Sequence, residues 1–306
     1  MKNAYLAICY SCNERCSYCP CSKQEKQDKL ITPLSDLKTA IAQFAVEGIT
    51  DITISGGEPT LHPDFIDIID YSQRCGLQVT VLSNGERFSN IDFLTKLQER
   101  LNMRQLRIIT TLHGESAISH EQANDTPGSF QRSVNGLLNL CNCGSKVIVK
   151  HCITKENYKS LKEFFLFIDR TFIPDVDVQL CSIDYCGIPN ELLNAEMLTF
   201  IELRPYLEAM FDYHMEHRES GLKRKLYCIN MPLCACDPFY WDYIPKRRKQ
   251  MYNLYKDPHS SKVNTANDIV GINETVCAGC KAASICCGTY HTAFQYFGST
   301  IVKRYM

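Results

Sequence analysis

The sequence predicts an α/β chain built on a parallel sheet, and two observations carry that prediction. Over the first 185 of 306 residues, apolar and β-branched runs near 4–10, 49–55, 77–83, 105–113, 146–153 and 176–183 alternate with stretches of helical periodicity. Six strand–helix units in succession imply parallel strands joined by right-handed crossovers. The chain's unusual residue groups also fall where those runs end, and parallel α/β folds form their sites at the C-terminal ends of strands. Periodicity alone leaves open whether such a sheet closes as a barrel or lies open and doubly wound.

The elements follow in order. The first strand is Ala4-Tyr-Leu-Ala-Ile-Cys-Tyr10. Leu34, Leu37, Ile41, Phe44 and Ala45 then recur at helical spacing, with Gly48 as the stop. The second strand, Ile49 to Ser55, runs into Gly56-Gly57-Glu58-Pro59; the third ends at Ser83-Asn84-Gly85 and the fourth at Thr111-Leu-His113-Gly114. After a Pro127-Gly128 turn, Phe130, Val134, Leu137, Leu138 and Cys141 mark another helix, and Leu161, Phe164, Phe165 and Ile168 the next. Near Pro189 the pattern changes. A helix is expected from Pro205, a favourable first-turn residue, through Leu207, Met210, Phe211 and His214 to about Gly221. A strand is expected over 225–230, and the remainder reads as irregular and rich in Cys and aromatics. The expected organisation is a sheet domain over 1–185, a linker over 186–196 and a smaller domain over 197–306.

Composition limits the function. A hydrophobic content of 45 % supplies a packed core, and a net charge of −1 gives no general argument for nucleic acid or an anionic membrane as partner. No apolar stretch approaches a membrane span, and the apolar run behind the N-terminus is too short for a signal sequence, so a cytoplasmic location is expected. Eighteen Cys is a high count for that compartment. A disulfide scaffold belongs to small secreted domains, whereas seven of these Cys cluster at metal-ligand spacing. Cys9, Cys75, Cys141, Cys152 and Cys181 lie in or beside apolar runs and read as small buried hydrophobes.

The first cluster is Cys12-Asn-Glu-Arg-Cys16-Ser-Tyr-Cys19. A compact loop of this spacing turns three sulfurs onto one soft metal centre. Three is one short of what a cubane iron–sulfur cluster takes from protein, which leaves one iron open; short Cys clusters also bind zinc. Together with Gly56-Gly57-Glu58-Pro59 at the end of the second strand and Tyr18 just before the third Cys, the motif resembles the radical S-adenosylmethionine (SAM) superfamily. The resemblance implies a partial (β/α)6 barrel. It also implies a [4Fe–4S] cluster on Cys12, Cys16 and Cys19, with the open iron chelated by the methionyl amine and carboxylate of SAM. Gly56, Gly57, Glu58 and Pro59 would help hold that amine, and Asn84 would reach the ribose or the carboxylate. Reductive cleavage then gives a 5′-deoxyadenosyl radical that takes hydrogen from a substrate. His113 and His151 are weaker candidates for touching nucleoside or substrate, the commoner role of a lone strand-end His being structural.

The second constellation is Cys277-Ala-Gly-Cys280 with Cys286, preceded by Cys228, Cys234 and Cys236. It reads as a metal staple on a domain with few regular elements, and either iron–sulfur or zinc fits the ligands. The spacing resembles the auxiliary-cluster domains called SPASM and twitch. The full SPASM pattern has another Cys where this chain has Tyr290, which argues for a single auxiliary [4Fe–4S] cluster on Cys277, Cys280, Cys286 and Cys234, with Cys228 and Cys236 as alternative fourth ligands. The segment Tyr227–Cys234 also resembles maturases of the His-Xaa-Ser type, a hint toward a peptide substrate. The expected function is radical modification of a ribosomally made peptide or protein, with a reductant such as flavodoxin or ferredoxin. The alternatives are a small-molecule radical SAM oxidoreductase or mutase and, in another class, a non-catalytic iron–sulfur carrier or sensor. Lys246-Arg247-Arg248-Lys249 is either a solvated face or a docking patch on the peptide's path.

Overall fold

The computed structural model describes residues 2–21, 30–173, 175–219, 223–246 and 252–306. Strands β1 (Asn3–Cys9), β2 (Asp51–Gly56), β3 (Gln78–Ser83), β4 (Leu106–Thr111), β5 (Lys146–Ile153) and β6 (Asp177–Ser182) lie side by side in chain order, each neighbouring pair parallel. The helices between and beyond them are α1 (Leu34–Val46), α2 (Phe65–Arg74), α3 (Ile91–Arg100), α4 (Ala117–Asn124), α5 (Ser129–Asn142), α6 (Leu161–Thr171), the four-residue α7 (Leu193–Glu196), α8 (Phe200–Glu219) and α9 (His291–Phe297).

The six βα units form a partial (β/α)6 barrel, because β1 and β6 do not meet. The free edge of β6 takes β7 (Leu226–Ile229), again parallel. The free edge of β1 takes β8 (Leu254–Lys256), parallel, which pairs antiparallel with β9 (Asn264–Thr265). The sheet therefore has nine strands and draws three of them from residues beyond 196. A separate antiparallel pair, β10 (Val270–Gly271) with β11 (Thr289–Tyr290), belongs to the Cys-rich region.

The outer face of the sheet is dry. Leu37, Ile41 and Phe44 of α1, Phe65, Ile68 and Ile69 of α2, Leu137 and Leu140 of α5, and Phe164, Phe165 and Ile168 of α6 are all buried in one core. Each such side chain contributes roughly 1.5–3 kcal/mol by leaving water. The inner face carries polar residues, and it is there that the strand-end loops converge.

Gly48 adopts φ +74° directly after α1, the left-handed conformation that a helix stop asks of glycine. Helix α8 starts five residues before Pro205, which sits inside it. The start is set by a reciprocal cap: Thr199 Oγ1 accepts from Glu202 N (3.1 Å), and Glu202 Oε2 accepts from Thr199 N (3.1 Å). Pro205 is the sixth helical residue and lacks the N–H that would otherwise bond Ile201 O.

Arg224 ties the last barrel helix to β7. Its side chain is 1 % exposed, pairs with Asp169 (2.9 Å), and donates to the carbonyls of Ile168, Phe172 and Ile173 at the C-terminus of α6 and to Val176. Ile168 O and Ile173 O each accept a backbone N–H as well, from Phe172 and Val176. Arg224→Met leaves the half-buried Asp169 without its ion-pair partner, and a loss of about 3–5 kcal/mol is expected, measurable as the urea midpoint. Arg224→Lys recovers little of it, since one ammonium cannot reach a fork of acceptors; full recovery by lysine would contradict this account.

Candidate active site

The loop after β1 carries Cys12, Cys16, Tyr18 and Cys19, and neighbouring backbone holds its shape. Arg15 N donates to Asn124 O (2.9 Å) and Ser17 N to Ala123 O (3.0 Å), both at the end of α4. The three cysteines are half-buried and unbridged. They line one cavity of about 280 Å³, partly open to solvent, together with Tyr18, Gly56, Gly57, Glu58 and Asn84. The structure thus brings together the first-cluster residues and the second- and third-strand ends. Pro59 lies just behind the wall, buried, opening a short 3-10 helix.

The glycines are required by a close approach to the end of β1. Gly56 has φ +143°, and a Cβ there would stand 2.0 Å from Cys9 O; one on Gly57 would stand 2.3 Å from Ser11 O. Their backbone presses on the end of β1, with Gly57 N donating to Cys9 O and Glu58 N to Ser11 O, both at 2.7 Å. Glu58 is 2 % exposed. Its Oε1 accepts from Thr60 N (3.0 Å), Thr60 Oγ1 (2.6 Å) and Ser83 Oγ (2.9 Å), and its Oε2 from Asn84 N (2.7 Å). Burial raises its pKa while these donors lower it. One carboxylate therefore locks the second strand end to the third.

Asn84 is held in turn. Its Nδ2 donates to Asn13 Oδ1 (2.9 Å) and its Oδ1 accepts from Glu86 N (3.1 Å). That leaves one amide hydrogen and one lone pair for a ligand. Asn13 donates to Glu86 Oε1 (2.5 Å), and Glu86 pairs with Arg132, so α5 braces the cluster loop. Tyr18 OH lies 2.5 Å from His113 Nδ1, and His113 Nε2 is 3.6 Å from Glu14 and 3.7 Å from Cys16 Sγ. His113 lines the cavity. His151 does not: it stacks on Phe164 at 3.9 Å, and its Nδ1 bonds Leu112 O, so it belongs to the helix-side core.

Sequence reasoning missed Lys150, Cys152, Cys181 and Tyr290 as cavity residues. The signal for two of them was present: Lys150 and Cys152 are two apart on β5, so both point to one face.

A second, small cavity of about 20 Å³ is lined by Cys234, Cys277, Cys280 and Cys286 with Phe294, Val302 and Tyr305. Cys228 and Cys236 lie outside it, fully buried. Leu233 N and Gly288 N both point at Cys286 Sγ (3.3 Å each), an arrangement that favours an anionic sulfur. Burial and the neighbouring Cys286 push the Cys234 thiol up to about 12. Four converging thiols with two backbone donors fit a thiolate-ligated cluster. Three thiols, with open cavity beside them, fit a cluster that must keep one iron for a ligand.

The family model for the radical SAM superfamily matches residues 6–168, more than half of the chain. The chain belongs to the radical SAM superfamily. As a radical SAM protein it uses a [4Fe–4S] cluster and SAM. Among curated relatives it is similar to the AdoMet-dependent heme synthase of Oleidesulfovibrio alaskensis, at 24 % identity over 78 % of this chain and 57 % of the relative. It is also similar to the mycofactocin maturase MftC of Mycobacterium tuberculosis, at 29 % identity over 53 % of this chain and 40 % of the relative. The chain thus spans about half the length of these relatives. In fold it matches Streptococcus suis SuiB bound to SAM with a TM-score of 0.67 at 13 % identity, over 99 % of this chain and 76 % of that one. SuiB bound to the precursor peptide SuiA matches with a TM-score of 0.60 at 17 % identity, over 75 % and 49 %.

Lys246 is exposed and pairs with Asp242 at 3.2 Å; Arg247, Arg248 and Lys249 lie outside the described residues. No helix among the described residues is long and apolar enough to cross a membrane.

Proposed function

We propose that this protein modifies a ribosomally made peptide, starting by hydrogen-atom abstraction. The observation that carries the reading is the convergence of Cys12, Cys16 and Cys19 with Gly56, Gly57, Glu58 and Asn84 on one solvent-reaching cavity. In this reading the three thiols hold three irons of the first cluster. The Gly56–Pro59 loop, stiffened by Glu58, presents backbone to the methionyl amine, and the free side of Asn84 faces the ribose or the carboxylate. When bound, the cluster and SAM supply a 5′-deoxyadenosyl radical; the chain orients the reactants and excludes water. Cys234, Cys277, Cys280 and Cys286 hold one auxiliary [4Fe–4S] cluster.

The division into a barrel over 1–185, a connection over 186–196 and an auxiliary region over 197–306 belongs to the same reading. So do a flavodoxin- or ferredoxin-type reductant, a cytoplasmic setting and a peptide path past residues 246–249. The peptide class is supported by the likeness to MftC and to the fold of SuiB, which was solved with a precursor peptide. A small-molecule substrate is the second reading, favoured by the likeness to a heme synthase over most of the chain.

The test is SAM turnover with reconstituted protein under anaerobic reduction. A short peptide encoded beside the gene should raise 5′-deoxyadenosine formation about tenfold, as expected when reactants are held in place, and should itself change mass. Stimulation by an iron tetrapyrrole with none by the peptide would move the assignment to the second reading.

A further inference from the structure

One cation stands on the wall of the reaction cavity without an anion of the chain beside it. Lys150 on β5 is the one Lys or Arg among the described residues that line this cavity. Strand register sets it opposite Thr111, one residue beyond the Ser83–Thr110 pair, and so level with the turn that carries Asn84. The groups that act most on its charge are the thiols of Cys152 and Cys181 and the phenols of Tyr252 and Tyr5, none of them a carboxylate. Among the described residues three carboxylates line the cavity, and each is engaged elsewhere. Glu58 takes four donors from Thr60, Ser83 and Asn84. Glu14 lies against Cys16 Sγ (3.5 Å) and His113 Nε2 (3.6 Å). Asp184 Oδ1 accepts from Thr292 Oγ1 (2.6 Å) and Cys186 N (3.2 Å).

The same wall carries a second donor. Tyr290, from β11, also lines the cavity. Its phenol oxygen accepts from Asn230 Nδ2 (2.6 Å), which leaves the phenol hydrogen to point elsewhere, and the chain offers it only a long contact, Cys181 Sγ at 3.9 Å. Asn230 is itself fixed. It adopts φ +57°, uncommon outside glycine, and its carbonyl accepts from Ser182 Oγ and Thr289 Oγ1. Cys152 and Cys181 are in-register partners on β5 and β6; Lys150 neighbours them along β5, and Tyr290 meets Cys181 from the auxiliary side. An ammonium and a phenol hydrogen on one wall suit a carboxylate, which accepts on both oxygens.

We propose that Lys150 and Tyr290 bind a carboxylate of the substrate peptide, either an Asp or Glu side chain or the C-terminus, and so select which residue of the peptide is attacked. This deepens, and rests on, the reading of the protein as a peptide-modifying enzyme acting in this cavity. Taking an ammonium out of water without a partner is unfavourable, and an incoming carboxylate removes that penalty while a neutral group does not. In the same reading the methionyl carboxylate of SAM belongs to the open iron, which leaves Lys150 for the second reactant. The cavity is about 280 Å³, small enough that the acidic group must belong to the modified residue or its immediate neighbour. Lys150 and Tyr290 are binding residues here and take no part in hydrogen abstraction.

The test uses reconstituted protein and the short peptide encoded beside the gene, and reads the half-saturating concentrations of peptide and of SAM. Lys150→Met should raise the peptide's value by at least about tenfold, as loss of one member of a shielded charge pair does. Lys150→Arg, which keeps the cation, should raise it less, and so should Tyr290→Phe. The peptide is then made with each Asp or Glu replaced in turn by its amide, and with an amidated C-terminus. One of these should show the same rise on wild-type protein and no further rise on Lys150→Met. If every neutralised peptide behaves as the parent does, the proposal falls while the peptide reading stands. A rise in the SAM value as large as that in the peptide value would assign Lys150 to the methionyl carboxylate and equally overturn it. A wild type that the peptide does not stimulate overturns the proposed function and this inference with it. A second measurement is independent of turnover: under anaerobic acetic anhydride, acetylation of Lys150 in a peptide map should be lost when the parent peptide is saturating and persist with the neutralised one. Equal labelling of Lys150 with and without the parent peptide would refute the contact.

Discussion

Alanine at Cys12, Cys16 and Cys19 together should abolish 5′-deoxyadenosine formation. The three sulfurs lie on one loop, between the ends of β1 and α4, and face the same cavity as the Gly56–Glu58 turn. No other described cysteine is placed to substitute as a set: Cys21 lines that cavity singly, and Cys152 and Cys181 lie side by side on β5 and β6, away from the cluster loop in sequence. Losing the ligands loses the cluster outright, because a thiolate site rarely forms without its metal or holds metal without its thiolates. The loss should be to background, since the electron source itself is gone. The fold should survive: the cluster loop is tied by backbone bonds to α4 and by Asn13 to Glu86 and Asn84, none of which needs sulfur. The variant should keep far-UV circular dichroism and about half of the wild-type iron, by the stoichiometry of two cubanes. Undiminished SAM cleavage in this variant would remove the three thiols from the chemistry.

The barrel was legible because parallel strands buried on both sides write themselves as short apolar runs. The run read at 146–153 is β5 to the residue, and the other five differ from their strands by a residue or two. The motifs were legible for a related reason: a cluster loop and a Gly-Gly turn need residue types that nothing else at a strand end requires. What was not legible depends on tertiary approach. The pressure on Gly56 and Gly57 comes from Cys9–Ser11, over 40 residues away, and no local pattern announces it. Residues 226–229 and 254–256 extend the sheet at opposite edges, yet as short runs in an irregular region they do not state which edge they join. Cys152 and Cys181 read as core because their neighbours are apolar; only the register of β5 against β6 sets them side by side on the cavity wall. The start of α8 was a different kind of miss, since Thr199-x-x-Glu202 stood in the sequence as a cap and Pro205 drew attention away from it.

Removing Cys277 and Cys280 should separate the two metal sites. Wild-type protein should hold about eight irons, four per cubane. Cys277→Ala/Cys280→Ala should hold about four and still cleave SAM, because the first cavity shares no thiol with the second. Its stability should suffer more than that of the first-loop variant. The region from 270 to 306 has one two-residue strand pair and one seven-residue helix, too little regular structure to hold Phe294, Val302 and Tyr305 around the thiols unaided. Metal binding there is folding energy, so its loss should expose this region to protease while β1–β6 stay resistant. The same logic fixes the fourth ligand. Cys234→Ala should cost the auxiliary iron, whereas Cys228→Ala and Cys236→Ala should not, since those two sulfurs are sealed in the core away from the cavity. Iron near four in the wild type, with stoichiometric zinc, would make the second site a zinc staple. Iron lost from Cys228→Ala instead would mean that the thiols rearrange when the cluster forms. Either result leaves the first site untouched, because the two thiol sets are held by different loops.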